Sequence, residues 1–227
     1  MRSVSMFGYV VRSLLLTSLL LAPPIHANTL TLSAIEHGIL TELNFARSDP
    51  YRYADEVLEP MLQYYREGKI WDPPWFNKQP GHIQVITTHE GVEALLEAIE
   101  AMRSAEPVRP LTPSYGLTLA AREHAAEQGK YNLTGHIGRD GSTPEQRIAR
   151  YGRWSLIAGE NLFYGNSDVN AARHVVMGLI IDDGVADRGH RKLIMDGRYQ
   201  YVGIVYAPHP SFGFMSAQSY AGQFHDH

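Results

Sequence analysis

Three short polar clusters carry the side chains best suited to chemistry. They are Gly135-His136-Ile137-Gly138, Gly159-Glu160-Asn161-Leu162 and Arg188-Gly189-His190-Arg191, with the acidic pair Asp182-Asp183 between the last two. Imidazole and carboxylate together can ligate a divalent metal or relay a proton. Each cluster lies beside glycine or in a turn-rich segment, which suits side chains gathered at one cleft. His136 and His190 are therefore candidate metal ligands, and Glu160, Asp182 and Asp183 candidate cleft acids. Glu160 is also the candidate catalytic residue, and the implied cofactor is a divalent metal, zinc or calcium. Any one of these residues alone would pass as a surface turn residue; the set is what points to a site.

Composition closes off other chemistries. With no cysteine, thiol catalysis, iron–sulfur clusters and zinc fingers are excluded together. No Gly-x-Ser-x-Gly elbow and no glycine-rich phosphate loop occurs. His89-Glu90-Gly91-Val92-Glu93 lacks the second histidine of a zincin helix. A net charge of −4 and a pI near 6.2 offer no basic face to nucleic acid or an anionic membrane. A length of 227 residues with 44% hydrophobic suits one globular domain.

The elements that must position these side chains follow from periodicity. Ser33 caps a first helix carrying Ile35, Ile39, Leu40 and Leu43, whose Asn44 and Arg47 are expected to make local hydrogen bonds. Tyr51 to Glu67 reads as a second helix interrupted near Pro60, and residues 68–88 as a loop. Tryptophans 71 and 75 in that loop are expected to pack. His89 to Arg103 and Ser114 to Tyr131 read as helices, the second with small residues and His124 on one face. His124 is placed outside the site as a packed helix residue. Thr143-Pro144-Glu145-Gln146 reads as a capped helix start. Ser155 to Tyr164 reads as a strand, in which Glu160 needs a cation, a metal or solvent, because burying a lone carboxylate is costly. Asp168 is expected to cap a helix to Ile181 with Val169, Ala172, Val176 and Ile180 as its stripe. Arg188 to Arg191 is expected on a loop. Tyr201 to Ala207 and Phe212 to Ser219 read as strands joined at Pro208-His209-Pro210, and Gln223 to His227 as frayed. Four or more helices and about three antiparallel strands suggest a three-layer α/β/α sandwich.

The N-terminus reads as a secretory signal peptide over residues 1–27. Arg2 and Arg12 supply charge, Leu14 to Ala22 an apolar run, and Ile25-His26-Ala27 a cleavage site after Ala27. The run is short for a membrane span and ends at Pro23-Pro24, and no later segment reaches the ~20 apolar residues a span needs. Residues 28–227 then form a single domain, secreted or periplasmic, with an inserted region at about 60–106.

Gly135-His136, Gly159-Glu160-Asn161-Leu162 and Gly189-His190-Arg191, in that order, resemble the signature of the CAP superfamily, the SCP-domain proteins. Leu179 to Val185 before Arg188 resembles a bacterial, cysteine-free branch, and the likeness spans roughly residues 35–48 and 110–221. The resemblance implies the same sandwich, with His136, Glu160, an acid near Asp182 and His190 lining a central cleft. In the family the second acid is a glutamate three residues after a tryptophan; here Leu179 and Asp182 take those places, and Asp183 is the other candidate. The family is associated with lipid or sterol binding, signalling and proteolysis. The expectation is an extracytoplasmic binding or interaction module with a metal cleft, its ligand a lipid or cell-envelope component. A metal-dependent, peptidase-like hydrolase is the alternative, and a structural domain with a vestigial cleft the third reading, so whether the protein is an enzyme stays open at this point.

Overall fold

The computed structural model describes residues 31–78 and 80–227; the leader reading for residues 1–27 lies outside them. Helix α1 (Ala34–Ser48) starts in a capping box, Glu36 N donating to Ser33 Oγ and Ser33 N donating to Glu36 Oε2 at 2.7 Å. Helix α4 (Tyr115–Tyr131) is capped by Ser114, and α5 (Pro144–Ala149) by the Thr143–Gln146 box. Helices α6 (Ala171–Ile181) and α7 (Gly189–Met195) follow strand β5 (Gly152–Gly165).

The central sheet runs β4-β6-β7-β5, from β4 (Thr112–Pro113), β6 (Tyr201–His209) and β7 (Gly213–Asp226) to β5. Its long strands are antiparallel, Glu160 lies opposite Ser219, and β4 joins β6 in parallel. Helices α4 and α5 cover one face. Helices α1, α6 and α7, with α3 (Val92–Ser104) behind them, cover the other, giving the three-layer α/β/α sandwich. The larger core cluster holds Ile39, Leu43, Val176, Ile180 and Ile204. Ala121, Ala125, Leu162 and Val205 pack on the α4 side. There α4 lies so close that a Cβ on Gly203 would sit 1.9 Å from the Leu117 carbonyl carbon.

The structure corrects several expectations. The second helix is three pieces: α2 (Pro50–Tyr53), a π turn over Ala54–Leu58 and a 3₁₀ turn over Glu59–Tyr64. Pro60 has no N–H to continue the α pattern. Residues 68–88 are not all loop. Strands β1 (Tyr65–Arg66), β2 (Lys69–Trp71) and β3 (Val85–Thr87) form a small antiparallel sheet, too short for periodicity to announce. Trp75 is buried there and stacks on His174 at 4.0 Å and 11°. Helix α3 begins at Val92 and leaves Leu96 exposed. Asp168 does not cap α6; it accepts from Asn77 N at 3.1 Å, Asn170 holds the cap position, and Val169 is exposed. Strand β6 runs through His209, so the turn falls at residues 210–212. The C-terminus is strand rather than frayed end, because Asp226 pairs with Gly152 and accepts from Gly116 N at 2.6 Å.

The Asn44 and Arg47 bonds are long-range, not local. Asn44 exchanges hydrogen bonds with the Leu111 backbone, and fully buried Arg47 donates to the Arg109, Ile194, Asp196 and Tyr199 carbonyls. They tie α1 to the linker before α4 and to the segment after α7.

Candidate functional site

Two histidine–carboxylate pairs flank strand β5, one from each helical layer. Gly135 sits at φ +90, a conformation that favours glycine, and turns the chain after α4 so that His136 reaches the sheet. The turn is pinned by Gln128 Nε2, which donates to Gly135 O at 2.6 Å, and by the Tyr164 hydroxyl, which accepts from Gly135 N at 2.9 Å. His136 Nδ1 then meets Glu160 Oε1 at 3.0 Å. With the carboxylate accepting, the proton is on Nδ1 and the Nε2 lone pair is presented by a side chain that is 46% exposed.

Glu160 itself is buried, and its counter-charge is internal. Arg147 on α5, equally buried, donates from Nη2 to both carboxylate oxygens at 3.1 and 3.0 Å. The same guanidinium donates to the His136 and Ser142 carbonyls at 2.9 and 2.8 Å, so it fixes the histidine's backbone as well as its partner. His124, expected outside the site, stands at its floor. Its Nε2 lies 2.9 Å from Gly135 O and 3.8 Å from Glu160 Oε1. Burial depresses its pKa, against the pull of Glu160, so it stays neutral. Arg147 and His124 are the residues sequence reasoning missed. The acid in an apolar strand was the signal that Glu160 needed a cation, a metal or solvent, but not which.

The second pair comes from the other layer. Asp182 ends α6 in the left-handed conformation, φ +58. Its Oδ1 lies 2.6 Å from His190 Nδ1, and its Oδ2 accepts from the His190 and Arg191 amides at 2.9 and 3.4 Å. His190 is thus not on a loop but in the first turn of α7, where free backbone N–H groups meet a carboxylate. It is Asp182, not Asp183, that pairs with His190. Asp183 accepts from His89 and Glu90 backbone N–H groups at 2.7 and 2.8 Å, ahead of α3.

The cluster Gly159-Glu160-Asn161 splits its work by strand alternation. Glu160 faces α4 and α5. Asn161 points the other way and donates to His190 O at 3.2 Å. A Cβ on Gly159 would strike the Tyr199 hydroxyl at 2.8 Å and Leu193 at 3.1 Å. Among the described residues, no three or more His, Asp or Glu side chains converge on a point that could hold a metal. An open hollow of about 660 Å³ adjoins the far end of β5, with Phe76, Ile86, Phe163, Phe212 and Asp183 on its walls. Among the described residues no helix is long and apolar enough to cross a membrane.

Such an arrangement can present two oriented imidazole nitrogens. It does not present a free carboxylate base, since both acids are already engaged.

No curated protein matches the chain. Among solved structures it is similar to an outer surface protein from Borrelia burgdorferi. That likeness has 18% identity and a TM-score of 0.42, over 50% of this chain and 78% of that one. It is also similar to an extracellular protein containing an SCP domain from Bacillus anthracis str. Ames. There the identity is 18% and the TM-score 0.38, over 63% of this chain and 47% of that one. The model of the cysteine-rich secretory protein family, CAP, matches residues 96–220, more than half of the sequence, and spans both histidine–carboxylate pairs; the chain belongs to that family.

Proposed function

We propose that the protein is a binding module working outside the cytoplasm, in which His136 and His190 hold a divalent metal or a ligand's polar group. The observation that carries this reading is the state of the two acids. Glu160 is neutralised by Arg147, and Asp182 is saturated by two amides and an imidazole. A general base needs an available lone pair near a substrate proton. Carboxylates engaged in this way instead orient histidines, which is the usual task of an outer-shell partner at a metal site. Two nitrogens are fewer than the three protein ligands of a catalytic zinc or the four of a structural one, so ligand or water oxygens would complete the coordination. The metal would supply Lewis acidity to whatever binds; the residues themselves orient and hold. The hollow beside β5, at about 660 Å³, is of a size that takes a small-molecule or acyl ligand. Export rests on the charged start, apolar run and Ala27 cleavage pattern.

Zinc titration by calorimetry on wild type, His136→Ala and His190→Ala tests the shared site. Both variants should bind more weakly than wild type. Equal affinity in all three refutes the metal reading. Peptidase turnover restored by zinc after chelation, and abolished by Glu160→Gln in a folded protein, would establish the hydrolase instead.

A further inference from the structure

We propose that the inserted segment is a clamp for the second pair, with Glu90 and Glu97 acting as positioning residues for His190. The loop that leads from α6 to His190 is strained at both ends. Asp182 and Arg188 sit at φ +58 and +53, a region that side-chain-bearing residues avoid, and Gly184 between them sits at +83. Such geometry persists only where the surroundings over-determine it.

The insert supplies the restraint. Arg188 donates to Glu90 through two nitrogens at 2.6 and 2.7 Å, and to Glu97 through Nε at 3.0 Å. Arg191 donates to Glu97 from the other side of His190. Gly184 N donates to Glu90 at 2.7 Å, and Asp183 returns two bonds to the insert's backbone. The arginines carry the restraint inward. Arg188 donates to the Asp182 and Val185 carbonyls at 2.9 and 3.1 Å, and Arg191 to Ile180 O at 3.0 Å.

Isolated surface ion pairs contribute little, but a two-pronged arginine–carboxylate contact inside a network is the exception. The Arg188 guanidinium holds the Glu90 carboxyl down at about 2, so the clamp stays charged at any physiological pH. Glu90 precedes the residues that the family model matches, and Glu97 lies at their start. The first pair has nothing comparable: its counter-charge comes from Arg147 inside the domain.

The inference rests on the reading of His190 as a ligand-facing group, but the clamp can be tested apart from it. The measurement is the rate at which diethyl pyrocarbonate modifies each histidine, read by peptide mass spectrometry, in wild type, Glu90→Gln/Glu97→Gln and Arg188→Lys. In the double variant His190 should react severalfold faster while His136 keeps its wild-type rate and the Tm scarcely moves. Arg188→Lys, which keeps the charge and loses the fork, should fall between, and it alone carries the test if the double variant does not fold. An unchanged His190 rate overturns the clamp. So does a parallel rise at both histidines, which would mean general loosening. Zinc affinity of the double variant should drop about 10- to 100-fold, as for other residues that orient a metal ligand. Wild-type zinc binding that ignores His190→Ala would sink the metal reading, while the ratio of modification rates would still decide the clamp.

Discussion

The two histidine–carboxylate pairs have the same chemistry and different sources of rigidity. At the first, Glu160 lies in the sandwich's interior and is balanced by buried Arg147, with neutral His124 beneath it. Strand β5, helices α4 and α5 and the loop between the two helices supply its partners. At the second, Asp182 is balanced by backbone amides at a helix end, and the loop is braced by exposed glutamates before and within α3. The first pair is thus as rigid as the core. The second is as rigid as its brace.

The sharpest way to break this comparison is Arg147→Met. It strands a buried carboxylate and should cost about 3–5 kcal/mol in chemical denaturation. Adding Glu160→Leu should recover much of that loss, because an apolar pair of similar volume replaces a charge pair well. A small loss on Arg147→Met alone would mean that the interior charge is not what holds the first pair.

Asp182→Asn should cost less, about 1–3 kcal/mol by the same measurement. Asparagine tolerates the left-handed backbone and can still accept from an amide. A loss equal to that of Arg147→Met would erase the distinction between the two regions.

A third contrast concerns acid. His174, packed between Trp75 and Phe163, is pushed down to about 3 by burial. Above pH 6.5 it is neutral both folded and unfolded, so stability is at its full value. Between 6.5 and about 3 only the unfolded chain takes the proton, so stability falls with pH by at most about 1.4 kcal/mol per unit. Replacing His174→Phe should flatten that slope in a series of melts from pH 7 to about pH 4. Equal slopes in the two proteins would place the acid sensitivity elsewhere, with His124 the next candidate.

Local signals determined a good part of this protein. The helix starts at Ser33, Ser114 and Thr143 were legible because a cap is a contact between residues three apart. The ordered clusters around His136, Glu160 and His190 identified the family, and the acid in an apolar strand announced that Glu160 needed a cation, a metal or solvent. What tertiary structure alone decided is every partner supplied from far along the chain. Arg147 and His124 reach Glu160, Arg47 reaches Ile194, and Glu90 reaches Arg188, across folds that no window of sequence spans. The sheet of β1 to β3 was equally illegible, since strands of two or three residues carry no period. So was the strand at Asp226, which exists only because Gly152 lies opposite it. Charge pairing and strand pairing are set by distance in space, and the sequence encodes that distance only through the packing that brings α4, α5 and α3 to their places.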